Sequence, residues 1–216
     1  NAAGYSAGGI SLQDAANVRI VHNTIANNDS TATAWSAFLP GATSSTPQGA
    51  GIVSHQHSAL LTSVSGQLYS DPDLANNILW HNRSFYWDAT AVPAALAPNP
   101  ATPYVDLEIA EIPGLPLQPV NCILSAAYPG GSSNVVGDPL FASPYENTLY
   151  SAVVIDEAGN NISVRFEPTG LYTPAGDPQG DYHLTPASAA AIDGAAPVSA
   201  PTYDFDLQAR PAGGAM

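Results

Sequence analysis

The sequence predicts an all-β chain whose short strands wind into stacked, parallel turns. Three observations carry that expectation: an internal repeat, the residue types inside it, and a recurring glycine phrase. The repeat is Val18-Arg19-Ile20-Val21-His22-Asn23-Thr24-Ile25-Ala26-Asn27-Asn28, which returns as Leu74-Ala75-Asn76-Asn77-Ile78-Leu79-Trp80-His81-Asn82. Asn77 falls over Asn23, Leu79 over Ile25 and Asn82 over Asn28. A third copy, Val120-Asn121-Cys122-Ile123-Leu124-Ser125, puts Cys122 at the Asn position and Leu124 at the aliphatic one. The copies lie 54 and 45 residues apart, so a short constant unit carries insertions of variable length.

The residue types explain the winding. Val18, Ile20 and Val21 are β-branched and suit a pleated, half-buried surface. Alternation stops at His22-Asn23 and resumes at Ile25. Asn tolerates the left-handed backbone region and bonds its own main chain, so it can turn one strand into the next within a residue or two. In stacked turns, equivalent Asn side chains would lie about 4.8 Å apart and could bond as a ladder. A pair of hairpins with Asn-rich turns would use the same residues.

In chain order, Gly8-Gly9-Ile10-Ser11-Leu12 opens with inward Ile and Leu two apart, a short strand. Residues 13–17 form a polar corner, and 18–25 carry the next strands. Residues 29–48, with Trp35 and Phe38, form a first insertion. Gly49-Ala50-Gly51-Ile52-Val53-Ser54 then repeats the opening glycine phrase. A second insertion, 55–72, precedes the Asn76-Asn77 strand, and a third, proline-rich one spans 89–119. Within it Val105-Asp106-Leu107-Glu108-Ile109-Ala110-Glu111-Ile112 alternates apolar and acidic residues. That pattern predicts one strand with one wet face, whose carboxylate row could hold a divalent cation. Residues 1–142 thus form the coils. Residues 143–216 supply a hairpin, with strands 148–155 and 162–166 around the turn-rich 156–161, and a capping segment of the same domain.

Composition bounds the partners. The chain has 216 residues, enough for one large domain, with 18 acidic residues, four Arg and no Lys, for a net charge of −14. Phosphate binding needs clustered cations, so nucleic acid is excluded as a partner. Repulsion likewise argues against anionic membranes, and no apolar run is long enough to span a bilayer. The single Cys122 forbids an internal disulfide and sits in an apolar strand, as a small buried thiol does. No export signal is present in the chain, which opens on Asn1-Ala2-Ala3-Gly4 and is expected to be a piece of a longer polypeptide. Poverty in Lys and Cys, with many Asn, Thr and Gly, resembles exported bacterial surface proteins. That likeness implies an extracellular or cell-surface location.

The last third carries a resemblance to a family. Asn134-Val135-Val136-Gly137-Asp138-Pro139-Leu140-Phe141 is similar to an "N-I-x-x-D-P-L-F" phrase of right-handed parallel β-helix repeat proteins. These are bacterial surface proteins of choice-of-anchor type within the pectate-lyase-like superfamily. Gly180-Asp181-Tyr182-His183-Leu184-Thr185-Pro186-Ala187-Ser188, followed by Ala191-Ile192-Asp193-Gly194-Ala195, resembles their closing segment. Asp204-Phe205-Asp206 with Arg210-Pro211 resembles their "D-x-D-G-x-x-R-P". Leu207 stands where that phrase has Gly, which argues against a tight turn there. The likeness spans residues 134–216 and, less closely, the Asn repeats. It implies a right-handed parallel β-helix of few coils with long loop insertions, closed by a C-terminal β-hairpin and cap.

That architecture hosts lyases, hydrolases, adhesins and inert stalks alike, so function must come from particular residues. A polysaccharide lyase needs a strong base beside calcium-holding carboxylates and positive charge near the enolate. Arg19 lies on an outer face, Arg165 in the hairpin, and Arg210 is expected to pair with Asp204 or Asp206. Arg83 remains, close to Trp80, Tyr86 and Trp87, a cluster that could bind carbohydrate by stacking rings on sugar faces. The same rings could instead cover the side of the coil. His55 and His57 would face one way on a strand and could share a copper or zinc ion, completed by Asp71, Asp73 or His81. Calcium or a transition metal are therefore the cofactors to consider. Asn28-Asp29-Ser30, Asn82-Arg83-Ser84 and Asn161-Ile162-Ser163 fit the glycosylation triplet by chance. The expected function is a structural or adhesive surface or extracellular-matrix protein without catalysis, assembling with copies or segments of itself through an open coil end. The alternatives are a carbohydrate-active enzyme and a metal-binding surface protein.

Overall fold

The computed structural model describes residues 1–145, 155–156, 160–161, 180–192, 194–196 and 201–210. The chain is all-β, built from strands of two to six residues with one short α-helix. Four parallel stacks organise it. Sheet I holds Ile10–Leu12, Ile52–Ser54 and Leu107–Ile109. Sheet II pairs Arg19–Val21 with Asp73–Ala75 and continues through single bridges to Val120 and Ser132. Sheet III stacks Thr24–Ala26, Ile78–Trp80, Ile123–Leu124 and Val135–Val136. Sheet IV stacks Ala2–Ala3, Asp29–Ser30 and Arg83–Asp88, and the last of these also pairs antiparallel with Ala95–Pro98.

The chain visits sheets I to IV in order twice; in the third round it passes through I, II and III and then returns directly to sheet II at Ser132. Arg19 lies opposite Asp73, Thr24 opposite Ile78 and Asp29 opposite Arg83. The register of the first two circuits is therefore the one that the repeat predicts. In the first two circuits the insertions fall on the way from sheet IV to I and from I to II. The path through II, III and IV is invariant because both of its corners are two-residue turns. In each, a left-handed residue precedes the repeat's Asn position. His22, Asn76, Asn121 and Ser133 hold φ between 51° and 57° at the II–III corner, as do Asn27 (51°) and His81 (52°) at the III–IV corner. Few non-glycine residues adopt that region cheaply, and Asn is the best of them.

Between the sheets lies an aliphatic core of Leu12, Ile20, Ile25, Ile52, Leu74, Leu79, Leu107, Ile109, Leu117, Cys122 and Leu124. Ile25, Leu79 and Leu124 stack in register, as do Ile20 and Leu74. Each buried aliphatic side chain stabilises the fold by roughly 1.5–3 kcal/mol. Gly9 and Gly51 occupy equivalent places. A Cβ on Gly9 would lie 2.6 Å from the Gly51 carbonyl oxygen, and one on Gly51 would strike that of Asp106. The close stacking of successive circuits here requires glycine, which is why the phrase recurs.

Several elements depart from the sequence reading. The second insertion contains a helix, Ala59–Ser65, started by Ser58 Oγ accepting from the Leu61 N–H and ended by Gly66 at φ 72°. It buries none of its residues, and its apolar pair at i, i+4 spacing, Leu60 and Val64, is exposed and too short a pattern to reveal it. The strand expected within the third insertion does form, at Leu107–Ile109, as the third strand of sheet I. Its acidic face is wet only at one end: Asp106 is buried, half-buried Glu108 accepts from the Gly49 N–H, and exposed Glu111 pairs with His55. A tight turn does form at Leu207, which takes the glycine-like φ of 62°. Most of the expected hairpin lies outside the described residues, as do Arg165, Asp193 and Pro211. Within the hairpin, Ile155–Asp156 pairs antiparallel with Asn160–Asn161.

The C-terminal segment returns to the stack. Phe141–Ser143 pairs antiparallel with Asp181–Leu184. Two left-handed Asn residues hold what comes back. Asn76 donates to the Ala196 carbonyl and accepts from the Ala196 N–H, both at 2.9 Å. Asn27 donates to the Tyr145 carbonyl and the Tyr182 hydroxyl. No helix among the described residues is long and apolar enough to cross a membrane.

Candidate functional site

The corners supply the dominant polar chemistry, and most of it is spent inside the fold. Each ladder Asn caps the corner of the circuit before it. Asn77 Oδ1 accepts from the Asn23 N–H at 2.9 Å, while its Nδ2 donates to the Ile20 carbonyl at 2.6 Å. Asn82 serves Asn28 N–H and the Ile25 carbonyl in the same way, at 3.3 and 2.9 Å. Asn134 serves Cys122 N–H and the Pro119 carbonyl, both at 2.9 Å. Cys122 is the weak rung. Its sulfur lies 3.4 Å from the Asn77 nitrogen, and burial raises the thiol above its ordinary pKa.

A second column runs Asn1, Asn28, Asn82, Asp106. Asn1 Nδ2 donates to Asn28 Oδ1, and Asn28 Nδ2 donates to Asn82 Oδ1 at 2.9 Å. Asn82 Nδ2 in turn donates to Asp106 Oδ1 at 2.8 Å. Asp106 also accepts from the Ser125 N–H and hydroxyl. Burial pushes its carboxyl up to about 6, against the pull of these donors. Asn28 and Asn82 are both buried in this column, so the first two glycosylation triplets are inaccessible. The third extends beyond the described residues.

Of the four residues considered for carbohydrate, Trp80 and Arg83 are engaged inside the fold. Trp80 is buried, stacked on His81 and edge-on to Phe141, and His81 stacks in turn on Tyr104. Arg83 grips Asp29 with Nε and Nη2, at 2.7 and 2.9 Å, and its guanidinium carbon lies 5.3 Å from the Phe85 ring centre. Asp29 is wholly buried, so Arg83 anchors sheet IV by a bidentate, charge-assisted pair. Tyr86 and Trp87 are half-buried on the ribbon with Ala95–Pro98, and neighbours on a strand point to opposite faces. Arg19 is exposed, with Nε 3.1 Å from its register partner Asp73.

His55 and His57 are both buried, each with its own partners. His55 Nδ1 meets Glu111 Oε1 at 2.8 Å, and Nε2 faces the Ser6 hydroxyl. His57 contacts the Gln67 carbonyl and the Ser70 hydroxyl. Burial alone would raise the Glu111 pKa. Hydrogen bonds from His55 and the Gln56 N–H outweigh that effect and hold it below the usual range. Among the described residues no three His, Cys, Asp or Glu side chains gather as a metal would need. Asp73 is engaged by Arg19, and His81 by its aromatic neighbours.

Sequence reasoning missed a cleft of about 600 Å³ between the II–III corners and the C-terminal segment. Its walls include Asn23 and Asn77 on the stack, with Tyr182, His183, Phe205 and Arg210 opposite. His183 lies between two carboxylates, with Nδ1 on Asp181 and Nε2 2.7 Å from Asp206. Hydrogen bonds to Asp181 and then Asp206 raise its pKa above the ordinary imidazole value. Asp206 therefore takes His183 as its partner, and Arg210 makes no ion pair among the described residues, contrary to the expected Arg210 pairing. The alternations Asp181-Tyr182-His183 and Asp204-Phe205-Asp206 were the available signal. Comparison with protein-family models, with curated proteins and with solved structures finds no match to this chain.

Proposed function

We propose that this chain is a right-handed parallel β-helix serving as a structural or adhesive module of an exported surface or matrix protein, without catalysis. The repeated visit to four parallel stacks supports the helix, and parallel crossover connections are right-handed in about 98% of cases. The observation that carries the functional reading is the internal use of chemically capable groups. Arg83 is taken up by buried Asp29, His55 by Glu111, and Asn77 and Asn82 by the corners beneath them. A lyase would need such groups free to meet the substrate. Its partners are then carbohydrate or further segments of the same surface protein. The test is incubation with uronate and neutral polysaccharides in the presence of calcium, followed by assay for unsaturated and reducing ends. No product is expected. Turnover would overturn this reading.

A second reading, a carbohydrate-active enzyme, is favoured by the cleft, which Tyr182 and Phe205 line together with Asp204 and Asp206. Two carboxylates beside sugar-stacking rings are the equipment of glycoside hydrolysis. In the same assay, turnover abolished by Asp206→Asn would establish it.

A further inference from the structure

Residues 201–210 form one wall of the cleft and are nearly all exposed. They bond to themselves. The Asp204 N–H donates to the Gln208 carbonyl, the Arg210 N–H to the Thr202 carbonyl, and the Gln208 N–H to Asp204 Oδ1. Among the described residues, one hydrogen bond ties this turn to the rest of the chain, between His183 Nε2 and Asp206 Oδ2 at 2.7 Å.

We propose that His183 is a proton-operated catch, holding the 201–210 turn over the cleft when its imidazole is protonated and releasing it when neutral. An imidazolium donates from both nitrogens and satisfies both carboxylates. Neutral imidazole keeps one N–H. Asp181 retains it, being two residues away on the same strand and already fixed by the His183 amide at 3.0 Å. Nε2 then presents a lone pair to the Asp206 carboxylate, acceptor against acceptor, and the one tie is lost.

Other charges near the catch are few. Asp204 and Arg210 line the cleft from the turn itself, and His22 lines it from the first corner. The strand Phe141–Ser143, paired with Asp181–Leu184, carries no ionisable side chain. Because the two carboxylates raise the imidazole pKa, the closed contact is intact below the ordinary imidazole value. It is lost as pH climbs through the raised one. The cleft is then shut in mildly acidic surroundings and open in alkaline ones, and the Phe205 ring, 95% exposed, moves with its lid.

The experiment places nitroxide labels at Thr24→Cys and Phe205→Cys in a Cys122→Ser background and measures their separation at pH 6 and pH 9. The expected result is a single short distance at pH 6 and a longer, broader distribution at pH 9. His183→Ala should give the long distribution at both. Asp206→Asn should stay short at both, because its amide donates to the Nε2 lone pair at high pH and its carbonyl oxygen accepts at low pH. Distances independent of pH in the unaltered turn, a closed His183→Ala variant, or an Asp206→Asn variant that opens at pH 9 would each overturn the proposal.

Discussion

Asn77 fastens Asn23 from the circuit that follows it, closing the corner of the earlier turn rather than its own. Removing the Asn77 side chain leaves the Asn23 N–H and the Ile20 carbonyl without that partner. An abandoned buried polar group costs about 1–3 kcal/mol. Asn77→Ala is therefore expected to lower stability by roughly 2–4 kcal/mol in urea unfolding. Asn23→Ala, at the exposed end of the column, should cost less than about 1 kcal/mol. Equal losses would refute the directional capping rule.

Cys122 occupies a rung built for Asn, and its sulfur makes only long contacts, at 3.4 and 3.5 Å. Cys122→Asn restores an oxygen acceptor for the Asn77 N–H and an amide donor, whereas Cys122→Ala removes both interactions. The Asn variant should exceed the Ala variant by about 1 kcal/mol, the worth of one net hydrogen bond. Calorimetric midpoints for the two decide it.

Arg83 and Asp29 behave as a unit. Arg83→Met leaves a carboxylate at 0% exposure without its cation, at a cost of about 3–5 kcal/mol. Adding Asp29→Asn should recover most of that loss. Arg19→Met breaks only an exposed pair and should cost less than about 1 kcal/mol. A double mutant no more stable than Arg83→Met alone would refute the coupling.

Asp106 sets a pH dependence of known sign. Its folded-state pKa, near 6, exceeds its ordinary value of 3.8, so the folded state binds the proton more tightly. Stability from this group rises as pH falls through 6 and is lost again as pH rises. Asp106→Asn cannot titrate. The stability difference between the parent and this variant should move in the parent's favour by roughly 2 kcal/mol from pH 7.5 to 4.5. Urea unfolding at the two pH values measures it, and a constant difference would contradict a raised Asp106.

The vertical alignment was legible because a ladder demands one residue type at one position in successive circuits, and Asn23 over Asn77, with Asn28 over Asn82, provides it. The backbone device beside it was not. His22, His81 and Ser133 hold the left-handed position as Asn27, Asn76 and Asn121 do, yet Ser does not advertise that conformation and His does so less than Asn. The strand Leu107–Ile109 shows a different limit. Alternation tells which residues share a face but not which face meets water. Asp106 goes inside because Asn82 and Ser125, 24 and 19 residues away, supply its donors. The candidate site was hidden for the same reason, since His183 and Asp206 are 23 residues apart and nothing local marks them as partners.

The fixed stride through sheets II, III and IV makes the chain unequally tolerant of length changes. Between Arg19 and Ser30 each strand begins five residues after the last, a stride repeated from Asp73 to Ser84. Deleting one residue there would turn aliphatic side chains such as Ile25 toward water and pull their Asn neighbours off the column. The same deletion within the exposed residues 39–43 leaves these registers in place. That stretch and the helix-bearing 58–68 tip of the second insertion can therefore be lengthened, shortened or exchanged for foreign peptides while the stack beneath keeps its alignment. The molecule is in effect a spool with two splice points, on which new surface can be mounted without rewinding the core.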